Sequence, residues 1–107
     1  MDLQVLKGFL RIDGSEDDPL LASLVSAAKS TMRKAGVEEP KVDPDADEEE
    51  KRRQEQTREQ YNLAVMLYVK REYDPLTGLE LERIKNAIEG LILQLRDYSQ
   101  RGGEDDA

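Results

Sequence analysis

The chain has no cysteine, no histidine and no tryptophan, and only one phenylalanine beside four tyrosines. The first two absences exclude disulfides, thiolate or imidazole metal sites, cysteine nucleophiles and the usual general base near neutral pH. The scarcity of aromatics leaves Leu, Ile, Val and Ala to fill the core. No apolar run approaches the 18 residues that a membrane span needs, and no basic-then-apolar start suggests a signal peptide. Glycines are scattered, so no phosphate-cradling loop exists. These absences lead to the expectation of a soluble protein, not associated with a membrane.

What is present is charge. Of 107 residues, 37% are charged and 37% hydrophobic, with a net charge of −8. That length suits one domain with one compact core. Residues 1–35 carry five acids and five bases, whereas residues 36–60 carry ten acids against five bases. A protein that reads DNA normally shows a basic stripe, because phosphate neutralisation supplies most of its affinity. This chain shows the reverse, which argues against sequence-specific DNA binding.

The apolar spacing is helical throughout. Asp2 can cap a first helix whose face is Leu3, Leu6, Phe9 and Leu10, with Gly14 as its stop. Pro19 suits a first helical turn and pushes Asp18 out of the α region, which makes Asp18 the expected N-cap of a second helix. Leu20, Leu21, Leu24, Val25, Ala28, Met32 and Ala35 form its stripe, and Gly36 ends it. The acidic knot "DGSEDD", residues 13–18, lacks the Gly and Glu positions of a calcium loop. It reads as a hinge between helices, with no metal bound.

Residues 36–60 read as a long charged loop, its second half a solvated extension of the third helix without an apolar face of its own. Asp47, Glu48, Glu49 and Glu50 form its exposed acidic segment. A core helix follows from Tyr61 and ends near Tyr73, since Asp74 precedes Pro75. Thr77 and Glu80 have capping-box spacing for a fourth helix. Leu81, Ile84, Ile88, Leu91, Ile92, Leu95 and Tyr98 give that helix the clearest 3.6-residue pattern. Its apolar surface looks larger than a small core requires, so Leu91, Leu95 and Tyr98 are candidates for a contact with another subunit or a partner protein. The expected architecture is all-α: one domain over residues 1–100, four helices with a long acidic loop between the second and third, and a disordered tail at 101–107.

No chemistry stands out. Every glutamate lacks an acid three residues on, so the carboxylate pairs with which a helical pyrophosphatase clamps magnesium are missing. No serine–base arrangement exists. An enzyme is not expected, nor any cofactor; binding or assembly remains. One possibility is a small acidic regulator or DNA mimic that occupies a basic partner through residues 43–50.

Specific stretches also resemble a known family. The opening "DLQVLKGFLRID…DDPLLASLVSAAKSTMRKAG", the segment "LAVMLYVKREYD" (63–74) and the close "LILQLRDY" (91–98) resemble, in order, those of the tailed-phage head–tail connectors. That gp6-like adaptor family is also described as DNA-packaging proteins. The resemblance implies a structural subunit of a homo-oligomeric ring, a dodecamer in the virion, placed beneath the portal. Its partners would be the portal protein, a tail or stopper protein, and further copies of itself. The genome would pass through without sequence-specific binding. The implied location is the head–tail junction of the virion, reached from the host cytoplasm during assembly. An acidic wall suits such a channel, because it keeps phosphates from lodging.

Overall fold

A computed structural model describes residues 1–74 and 76–105, with side chains as far as Asp97. Four helices follow one another: α1 (Leu3–Leu10), α2 (Asp18–Lys34), α3 (Glu48–Tyr73) and α4 (Gly78–Asp105). No strand occurs among the described residues. α3 is the spine. Both α2 and α4 pack along it, and the short α1 lies against α2 and α3.

Each helix begins and ends for a local reason. Asp2 caps α1 as its sequence suggests, its Oδ1 accepting the Gln4 N–H at 2.8 Å. The helix stops earlier than Gly14 would have stopped it. Arg11 takes a left-handed conformation (φ 58°), and Ile12 N–H donates to the Lys7 carbonyl at 2.9 Å. The strain of a non-glycine residue there is offset by Ile12, which packs on the core. At the other end of α2, Gly36 (φ 89°) makes the expected stop, and Val37 N–H donates back to Met32 O at 2.9 Å. The turn carries Val37 into the core, where it is 1% exposed.

The start of α2 corrects the expectation for Asp18. Asp18 is the first residue inside the helix, Asp17 holds the N-cap position, and Asp17 makes no side-chain capping bond. The Asp18 carboxylate is drawn instead to the Lys7 ammonium, 3.0 Å away. Pro19 still stands in the first turn, as its missing N–H allows.

The long acidic loop is likewise corrected. The connection between α2 and α3 spans only residues 35–47, and α3 starts at Glu48. Two effects make residues 48–60 helical. Asp47 caps the helix, its Oδ1 accepting the Glu50 N–H at 2.8 Å, and Glu48, Glu49 and Glu50 lie where the helix dipole is positive. The connection is also tied down: Lys29 pairs with Glu39 at 3.0 Å, and Asp43 N–H donates to Gln54 Oε1 at 2.7 Å. This half of α3 has no apolar stripe, but Glu50, Gln54 and Thr57 turn inward at helical spacing. Thr57 is buried, and its hydroxyl donates to Arg53 O at 3.0 Å, so burying it leaves no donor unpaired.

The core joins Leu6, Leu21, Ala28, Met32 and Val37 to Tyr61, Ala64, Val65, Val69 and Leu95. α3 ends at Tyr73 with Asp74 as C-cap, as the following proline requires. α4 reaches Asp105, into the segment expected as a disordered tail; residues 106 and 107, like the Tyr98 side chain, lie outside the described residues. The outline is elongated, 44 × 28 × 21 Å. Its radius of gyration is 15.0 Å, where a compact chain of this length would have about 13 Å. Long helices flanked by little else leave much of their surface without an internal partner.

Candidate functional site

Three surfaces carry the groups that the sequence singles out. The first is the joint between α1, α2 and the end of α3. Lys7 is buried by the packing of α1, with 9% of its side chain exposed, and its ammonium meets Asp18 Oδ1. Across the joint the Tyr73 hydroxyl donates to Asp17 Oδ2. That hydrogen bond, more than burial, holds the phenol above its ordinary value of 10.0. Nearby, the Lys70 ammonium sits 5.8 Å from the centre of the Phe9 ring. The acidic knot thus holds helices together through protein partners. Among the described residues no group of three or more potential ligands comes close enough to hold a metal ion.

The joint yields a direct expectation. Lys7→Ala leaves Asp18 with a poorly solvated charge and no partner, and should cost about 1–3 kcal/mol of stability. Asp18→Ala in the Lys7→Ala background should then cost much less than in the wild type. A urea denaturation cycle reads this coupling. Additive effects would mean that the pair contributes nothing.

The second surface is the start of α3. Asp47, Glu48 and Glu49 are exposed and Glu50 is half-buried. Arg53 lies between two of these acids, 3.5 Å from Glu49 and 3.8 Å from Glu50, in pairs that are exposed and contribute little to stability. Glu50 also accepts from Gln54 Nε2 at 3.3 Å. Glu48 and Glu49 therefore carry the outward charge, while Asp47 and Glu50 have local work to do.

The third surface is α4. The expected contact residues separate here. Leu95 is 1% exposed and belongs to the core, so it is no free contact residue; Leu91 is half-buried against the same cluster. The Tyr98 side chain lies outside the described residues. Ile84 and Ile88 are buried on the same side. The leucines that face away are Leu79 and Leu93, which the stripe-based reading passed over. They stand 14 positions apart, close to four helical turns, and both fall off the stripe that runs from Leu81 to Leu95. That offset was visible in the spacing and marks them as outward. Thr77 directly precedes α4, and Glu80 lies in its first turn.

The chain belongs to the phage gp6-like head–tail connector family, whose family model matches residues 1–106. No curated protein and no solved structure matches it significantly. Membership makes this a structural component of the phage particle's head–tail connection, as the resemblance of its opening, third and last helices had implied. No helix among the described residues is long and apolar enough to cross a membrane.

Proposed function

We propose that the chain is an adaptor subunit that forms a ring beneath the portal and joins it to a tail or stopper protein. In the ring, the acidic start of α3 faces the central channel, and the genome passes without being read. Assembly takes place in the host cytoplasm, and the ring ends at the head–tail junction. The observation that carries this reading is the family match across residues 1–106. Two features support it. The net charge of −8 suits a wall that DNA must slide past. The elongated shape and the outward leucines suit a subunit completed by its neighbours.

Cryo-electron microscopy of the purified chain mixed with portal protein tests the proposal. The expected result is a ring of copies coaxial with the portal. A chain that stays monomeric in that mixture, and instead binds a basic nucleic-acid-binding protein, would favour an acidic regulator and overturn the adaptor reading.

A further inference from the structure

The hinge between α1 and α2 holds an aspartate that nothing occupies. Asp13 is exposed and makes no hydrogen bond or ion pair among the described residues. The Gly14 N–H that follows it is equally unengaged, since neither residue belongs to a helix or a hydrogen-bonded turn. Gly14 has φ 84°, a conformation that strains any residue with a side chain, so the turn itself demands glycine. Its nitrogen is therefore unshielded: even a Cβ built there would meet only the Glu16 carboxylate, at 4.0 Å. The chain has no other Asp-Gly pair and no Asn-Gly pair. Its other aspartates and asparagines are held in check one by one. Asp18, Asp43 and Asp74 precede prolines, which have no N–H. The amides after Asp17 and Asp45 donate to the Ser15 and Asp43 carbonyls, each at 3.2 Å. Asp2 and Asp47 are engaged as helix caps, and Asn62, Asn86 and Asp97 lie inside helices whose ladders hold the next amide.

We propose that Asp13–Gly14 is a site of spontaneous covalent modification, at which the aspartate rearranges to isoaspartate and loosens the joint between α1 and α2. The Gly14 nitrogen attacks Cγ of the protonated Asp13 carboxyl. The new N–Cγ bond replaces the Cγ–OH bond, the amide proton and the hydroxyl leave as water, and a cyclic imide forms. Water then adds back at one of its two carbonyls. Addition at Cγ restores aspartate. Addition at the main-chain carbonyl carbon breaks its bond to the Gly14 nitrogen, so the chain now runs through the side chain of residue 13 and a carboxylate is left on its Cα. One water is lost and one regained, and no oxidant or other reactant is needed. Mass and net charge stay the same, while the hinge gains one methylene in its main chain. The position gives this small change its effect. Lys7 stands before the hinge and Asp18 after it, and their contact at 3.0 Å depends on how the hinge sets α1 against α2. Asp17, which accepts from Tyr73, stands on the same side of the hinge as Asp18.

The test uses the full, folded chain, kept warm for days in mildly acidic buffer and sampled over time. Trypsin releases residues 12–29 as one peptide. A second form of that peptide, equal in mass and separate in retention, should accumulate, and electron-transfer fragmentation should place the change at residue 13. The intact chain should in parallel become a methyl acceptor for an isoaspartate-specific methyltransferase. Asp13→Glu keeps the charge but must close a larger ring, which forms far more slowly. Since the Asp13 carboxylate has no partner, this variant should melt as the wild type does and lose the methyl acceptance. Aged wild-type chain should show a second unfolding transition at lower urea, growing with the isomeric peptide, and aged Asp13→Glu should not. If the wild type gains no isomeric peptide, or Asp13→Glu accepts methyl groups as readily, the site is wrong. A chain that carries isoaspartate at residue 13 and still unfolds at the wild-type urea concentration would overturn the loosening of the joint.

Discussion

Leu95→Glu is expected to leave the chain unfolded at room temperature, while Leu93→Glu, two positions away, leaves its stability within about 0.5 kcal/mol of the wild type. Leu95 is 1% exposed in the cluster that joins α2, α3 and α4, so a carboxylate there would have to be buried without a partner or break the packing. Truncation alone would cost about 2–5 kcal/mol, and the unpaired charge adds to it. A single small domain has only about 5–15 kcal/mol in hand. Leu93 already faces water, so its replacement exposes nothing new and loses little. Far-UV circular dichroism with thermal and urea melts separates the two. A Leu95→Glu protein that melts as the wild type does would place Leu95 at the surface and return it to the list of contact residues.

The contrast between these two leucines shows what could be read from the sequence and what could not. Periodicity identified the α4 stripe and the core half of α3 from Tyr61, and residue type identified the stops at Gly36 and at Asp74, which precedes Pro75. These depend on local sterics or on a strong repeat. The stripe could not say how much of itself the rest of the chain would cover, so Leu95 passed for a contact residue although Leu6, Met32 and Val65 belong to the same cluster. The start of α3 was misread for a related reason. An apolar face was required of it, but its inner face is polar, with Thr57 and Gln54 satisfied by hydrogen bonds that include one from the preceding connection. Such pairing across 11 positions has no sequence period. At the hinge, Asp18 had the right residue type for a cap, but the nearer attraction was Lys7, which only the packing of α1 brings within 3.0 Å.

The acidic start of α3 now admits a sharper test than its charge alone suggested. Asp47 caps the helix and Glu50 accepts from Gln54, so replacing them would disturb folding together with charge. Glu48 and Glu49 are exposed and free of such duties, apart from the solvated Glu49–Arg53 pair. Changing both to Lys costs the favourable dipole interaction, about 0.3–1 kcal/mol each, and should leave the helix formed. In a ring every copy contributes the change, so the wall facing DNA reverses sign over its whole circumference. The mutant ring should assemble on portal as the wild type does and acquire DNA binding that weakens steeply as salt is raised. Filter binding of linear duplex DNA at low and physiological salt would measure it. Phage carrying the double Lys change should fill their heads and then fail to release the genome at the normal rate, because phosphates now lodge where they formerly slid. The corresponding Gln pair, neutral in place of basic, should show neither DNA binding nor an ejection defect of that size. If the Lys double mutant binds no DNA and its phage infect normally, the start of α3 lies on the outer rim of the ring and its charge has no part in the passage of the genome.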